Sequence, residues 1–307
     1  MKNKPVFLAD VRTNFFSYLL ALPAILFTLV FGYCTIPYMI IAFQKYNFRK
    51  GLFGSEFVGF KNFEFFFKSN DIVQVIVNTI KLNFLFIGFT TLLALVISVL
   101  LNELSQNWMR KFFQSSFLFP YFMSWVVISY MLYSLLSYDH GLINNVLEWA
   151  GLKPLSFYTE SKYWTAILVM MKMWKDFGLN VIIYLAVITG FDTEIYEAAR
   201  IDGANRWQVC TRITTPLLMT TVSILTIIAI GKIFYGDFGM IYALVGDNGV
   251  LYETTDVIDT FMFRTLRTVG NPSQAMAVGL FQAIMGFILV CGTNYIVKKR
   301  FREGALF

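Results

Sequence analysis

Few side chains in this 307-residue chain could do chemistry, and most of them lie where charge is unexpected. Trp174, Lys175 and Asp176 sit in one apolar run, Lys232, Tyr235 and Asp237 in another, and Tyr121 and Trp125 in a third. An ionisable group inside such a run is costly in lipid and faces a cavity or a partner. These residues offer hydrogen bonds and flat ring faces to a polar solute. Ion pairing between helices, or reach toward the membrane surface, would use the same residue types. Lys172 and Asp176 are four apart and can pair on one helix face. The usual covalent and metal chemistries have no motif here. There is no G-x-x-x-x-G-K-[ST] phosphate loop, no H-E-x-x-H and no G-x-S-x-G. His140 is the only histidine, and Cys34, Cys210 and Cys291 have no metal-ligand or disulfide pattern.

The elements that must carry these residues are membrane spans. Hydrophobic residues make up 57%, charged ones only 14%, and the mean hydropathy is +0.61. A soluble domain has about a quarter charged residues. Apolar runs long enough to cross a bilayer recur at about Phe15–Phe43, Ile72–Leu101, Phe113–Leu136, Tyr163–Ile188, Leu217–Leu244 and Ser273–Val297. The first is too long for the apolar region of a cleaved signal and reads as an uncleaved span. The expected fold is an all-α membrane protein of six transmembrane helices: residues 1–14 precede the spans, 15–297 contain them, and 298–307 form a tail. In the sixth run Ala275, Gly279 and Ala283 form a small-residue stripe for close helix packing. The net charge of +6 fits basic loops at a membrane face, not nucleic-acid binding.

A second constellation lies between the fourth and fifth runs. Asp192 or Thr193 can cap a helix, with Glu194 in its first turn. Gly203 stands where a left-handed residue would end that helix. Asn205 and Gln208 have capping-box spacing for a second short helix, and Pro216 is expected to close that helix and open the next apolar run. Two adjacent alanines, Ala198 and Ala199, make a flat helix face, while Glu197, Arg200, Asp202 and Arg206 supply charges that a partner could read. Taken alone, this also describes an ordinary amphipathic surface helix.

The spacing of Glu197-Ala198-Ala199, Gly203, Ile213 and Pro216 resembles the EAA loop of ABC-importer permeases, with Thr215 where leucine is usual. Tyr196 through Ala204 is similar to the carbohydrate-uptake branch of that family. So are Phe57-Val58-Gly59 with Asn62, Asn78-Thr79, Pro120 and Gly141 with Asn144. Asp256-Val257-Ile258-Asp259-Thr260 and Ala277 through Gln282 look like its oligo- or polysaccharide permeases. The resemblance implies an ABC permease fold whose cytoplasmic EAA loop docks a separate ATPase through Glu197, Ala198, Ala199, Arg200, Asp202, Gly203, Ile213 and Pro216. It implies a chain that is not itself an enzyme and binds no cofactor, with ATP and magnesium at the partner. The implied partners are a second homologous permease, two ATPase copies, an extracellular sugar-binding protein and membrane lipid. The solute would be an oligosaccharide, its C–H surface on Trp174, Tyr121, Trp125 or Tyr235. The resemblance also implies a bacterial cytoplasmic membrane with both termini inside. A modest excess of Lys and Arg on the inner segments agrees, Lys298, Lys299, Arg300 and Arg302 among them, although the first outer loop is also basic. A permease of the same architecture for glycerol phosphate or a polyamine, and a stand-alone ion-coupled transporter, are the alternatives.

Overall fold

The computed structural model describes residues 10–11, 13–68, 72–104 and 106–300. Lys2, Lys4, Arg12 and Arg302, used above for the terminal segments, lie outside them. The described chain is helical almost throughout, with one short antiparallel ribbon. Contacts divide it into two parts, residues 1–67 with 269–280 and residues 68–268 with 281–307.

The first part opens with α1, Phe15–Thr28, which continues as a π-turn over Leu29–Tyr33 and a 3-10 stretch over Ile36–Phe43. Strands β1, Gln44–Lys45, and β2, Glu56–Phe57, pair next, and α2 spans Lys61–Lys68. Asn62 donates to the carbonyls of Ala42 and Gln44, and the Phe43 ring lies against Phe57, Phe60 and Phe63. These contacts hold the Phe57–Phe63 segment against the end of the 3-10 stretch and β1.

The second part is built on two long helices packed along each other, α3, Ile72–Asn102, and α7, Trp164–Ile188. At 1.5 Å per residue, the 31 residues of α3 extend about 46 Å, more than a bilayer core. Between them come α4, Asn107–Leu118, α5, Trp125–Leu136, and α6, Leu142–Trp149. After α7 come α8, Thr193–Ile201, α9, Arg206–Val209, α10, Thr215–Ile230, α11, Phe238–Val245, and α12, Ile258–Val269. The last helix, α13, is Pro272–Arg300. One apolar cluster joins Leu82 and Phe86 of α3 to Ile128 and Leu132, Trp164 and Leu168, and Met240 and Leu244. A second joins Ala94 and Leu101 to Val181, Tyr184 and Leu185, and to Leu218 and Val222.

Four helices are long and apolar enough to cross a membrane, and up to six spans result if two bent pairs each count as one. Two expected spans are not straight helices. The third bends by 97° between residues 107–122 and 125–136. Pro120 begins a short 3-10 turn there, Met123 is extended, and Ser124 caps α5 by accepting from the Val127 amide. The fifth does not run from Leu217 to Leu244: its helix spans Arg206–Ile230, and the chain then unwinds before α11. Gly231, Gly236 and the capping carboxylate of Asp237 favour that interruption.

Pro216 does not close the short helix α9. Helical structure runs on through a π-turn at Cys210–Thr214 into α10, with Pro216 in the first turn of α10. Its missing N–H falls where the bonding pattern changes, so the helix continues past it. The small-residue stripe of α13 is also misplaced. Nothing lies within 4 Å of a side chain built on Gly279, whereas one on Gly286 would meet the Gly231 carbonyl at 2.7 Å. The close approach is about two turns further along, at Gly286.

Candidate functional site

Two sites emerge in the second part, a surface knob and a polar cavity. In the knob, Asp192 caps α8 by accepting from the Glu194 amide at 2.9 Å. Gly203 has φ +79°, and its amide donates to the Arg200 carbonyl at the helix end. Asn205 and Gln208 complete a reciprocal capping box, each amide donating to the other's side chain at 2.8 Å. The Thr214 hydroxyl donates to the Tyr196 hydroxyl, tying α8 to the π-turn. Glu197, Ala198, Arg200, Asp202 and Gly203 are exposed, and Ala199 and Ile213 are half-buried. Glu197, Arg200, Asp202 and Arg206 take no part in an ion pair among the described residues. Two large apolar side chains stand in the open, Ile201 at 86% and Trp207 at 73% exposed. Sequence reasoning passed over both. Behind the knob is a cavity of about 700 Å³ lined by Glu197, Arg200, Arg206 and Arg110 among others. Arg110 donates to the carbonyls of Leu101, Asn102 and Leu104, capping the end of α3.

The polar cavity, about 600 Å³, is walled by α3, α7, α10 and the unwound stretch after α10. Of the residues singled out for a solute path, it brings together Tyr121, Asp176, Lys232, Tyr235 and Asp237. Lys172 joins them, with its ammonium 2.8 Å from Asp176 and 2.7 Å from Asp237. The expected four-residue pair is therefore one side of a triad that links α7 to the start of α11. Asn83, Asn180 and Phe238 also line the wall.

Three candidates are placed elsewhere. Lys175 is buried, donating to the carbonyls of Tyr121 at 2.6 Å, Met123 at 2.7 Å and Pro120 at 3.5 Å. The break between α4 and α5 leaves the Tyr121 and Met123 carbonyls without helix partners, and the ammonium satisfies them; the Pro120 carbonyl also accepts from the Met123 amide. Its charge also lies over the rings of Tyr121 and Trp125. One turn further along α7, a side chain on Gly178 would meet the Phe117 carbonyl at 1.9 Å, so α7 touches the broken helix backbone to backbone. Trp174 and Trp125 pack against the first apolar cluster and do not line the cavity.

The broken backbone of residues 231–237 is held from outside. Asn83 donates to the carbonyls of Ile233 and Tyr235, both at 3.1 Å. Gln282 donates to the Phe234 carbonyl at 2.8 Å and to Asp259 at 3.0 Å, and Asp259 accepts from the Gly236 amide. Unsatisfied backbone in a membrane interior costs several kcal/mol per group, so a break persists only where such partners exist. The Asp256–Thr260 segment is anchored in turn. Asn78 donates to the Asp256 carbonyl, Thr79 accepts from the Ile258 amide, and Arg264 grips the Asp256 carboxylate.

Long apolar helices around a polar cavity, two of them broken beside it, with a rigid polar knob between two helices, define a multi-pass membrane transport protein. Residues 87–303 match the family described as binding-protein-dependent transport system inner membrane component, and the chain belongs to that family. It is 32% identical over 297 residues to protein LplB of Bacillus subtilis (strain 168), with 97% of this chain and 93% of that one covered. It is 33% identical over 287 residues to the polygalacturonan/rhamnogalacturonan transport system permease protein YteP of the same strain, with 94% and 89% covered. Among solved structures, a chain of a bacterial ABC transporter involved in the import of the acidic polysaccharide alginate superposes with a TM-score of 0.86 at 30% identity, covering 96% of this chain and 99% of that chain. A chain of a bacterial alginate ABC transporter in complex with an alginate pentasaccharide-bound periplasmic protein gives 0.84 at 30% identity, with 95% and 96% covered.

Proposed function

We propose that this chain is one of two permease subunits of an ATP-driven importer, and that the importer moves an oligosaccharide delivered by an extracellular binding protein. The observation that carries the reading is the knob: α8 is rigidly capped, ends at a left-handed glycine and presents Ile201 and Trp207 bare. Bare apolar anchors flanked by unpaired charges suit a cleft in a partner protein. That partner would be a cytoplasmic ATPase, present in two copies, with ATP and magnesium bound there and not by this chain. The second permease would close the far side of the cavity. The chain would lie in a bacterial cytoplasmic membrane with both termini inside. The relatives' printed functions, alginate and pectin-type polysaccharide transport, favour a saccharide over a polyamine or glycerol phosphate.

The test is Gly203→Asp in the complete importer reconstituted in proteoliposomes. A side chain at this φ costs about 1–2 kcal/mol, and the new charge would sit at the docking face. The expected result is loss of ATP-driven uptake and of ATPase co-purification. Wild-type levels of both would refute ATPase docking through this loop.

A further inference from the structure

Among the charged side chains on the cavity wall, Lys172, Asp176 and Asp237 form one triad, two carboxylates on one ammonium, and Lys232 stands apart from it. The other oxygen of Asp237 accepts from the Met240 amide, where the N-terminus of α11 further favours negative charge. Lys232 is exposed on the wall, and its ammonium has no hydrogen bond or ion pair among the described residues. Nor is it on a slack loop. It lies in the unwound stretch that Asn83, Gln282 and Asp259 fix from three other helices. The same wall carries the rings of Tyr121, Tyr235 and Phe238 and the amide of Asn180. An ammonium without a partner on a cavity wall can donate a charge-assisted hydrogen bond to a carboxylate, which is among the stronger polar contacts available. Ring faces and amides beside it suit the C–H surface and hydroxyls of a sugar.

We infer that Lys232 is a specificity-determining residue that pairs with a carboxylate of the transported saccharide, which makes the solute an acidic oligosaccharide of uronate units. The inference rests on the saccharide-importer reading and adds to it the charge of the solute and the residue that reads it.

The complete importer in proteoliposomes, with ATP on the ATPase side, tests this with four probes: trigalacturonate, trimannuronate and the carboxyl-reduced form of each. Wild type should take up an acidic trimer in preference to its reduced form. Lys232→Met should lower acidic uptake about tenfold, mainly through KM, the size expected for losing one charge-assisted contact. Lys232→Arg, which keeps the charge, should stay within about twofold of wild type by the same measure. Uptake is normalised to assembled complex, so a folding defect in the Met variant is separated from a lost contact. Equal wild-type uptake of a reduced and an acidic trimer, or Met-variant uptake within about twofold of wild type, would overturn the inference and leave the importer reading intact. Uptake of none of the four would overturn both.

Discussion

The knob at 192–216 and the unwound stretch at 231–237 are both irregular backbone joined to long helices, yet they are stabilised in opposite ways. The caps that shape the knob are local: Asp192 to Glu194, Gly203 to Arg200, Asn205 to Gln208. The unwound stretch is held by Asn83, about half a chain away, and by Asp259 and Gln282. A docking element must keep its shape before its partner arrives, and short-range caps achieve that. A cavity wall held by three other helices instead moves when those helices move. Rigidity is thus built in at the surface, while the interior shape depends on the arrangement of the bundle.

Substitutions should separate the two kinds of support. The largest effect is expected at Lys175, which serves the other broken helix. Lys175→Met leaves the carbonyls of Tyr121 and Met123 without their donor. At about 1–3 kcal/mol for each buried unsatisfied group, little folded protein should elute as a single species on size-exclusion chromatography. Wild-type recovery and Tm would mean that water or a neighbour replaces the ammonium. Asn83→Leu comes next. It strips the Ile233 and Tyr235 carbonyls of one donor, costing on the order of 2–4 kcal/mol. Uptake should fall about tenfold while ATPase co-purification, which the proposed docking assigns to the knob, persists; loss of both together would show that the two regions are not independently supported. The smallest effect belongs to Asp192→Ala. Removing an exposed cap costs about 1 kcal/mol, seen as a slight fall in Tm, with uptake changed less than twofold. A collapse of uptake there would give Asp192 a role in docking beyond capping.

The same division decides what could be read from the amino acids. Asp192, Gly203 and the Asn205–Gln208 box declare themselves through nearest-neighbour rules, and Lys172 with Asp176 through helical spacing. Pro216 misled, because a π-turn lets the helix run through it and nothing in its immediate neighbours signals such a turn. Lys175 and Lys172 are indistinguishable by residue type and hydropathy. Only the Tyr121 and Met123 carbonyls freed at the α4–α5 break decide that one is a structural cap and the other a cavity residue. The Trp174 and Trp125 rings were natural stacking surfaces by composition but were claimed by the apolar cluster. Asp259 and Gln282 lay in stretches already noted for their resemblance, yet their common task is visible only once the chain brings both to residues 234–236.

The π-turn at Cys210–Thr214 has a further consequence for how this stretch tolerates change. Beyond it, Leu225, Ile228 and Ala229 present one stripe of α10 to the cavity, and Lys232 follows past the helix end. Each residue of an α-helix advances the azimuth by about 100°. Deleting a single residue from the turn would swing that whole stripe toward lipid or toward a neighbouring helix. Beyond the identities that the buried cluster fixes at Leu218 and Val222, the number of residues between knob and cavity acts as a ruler that an insertion or deletion would break.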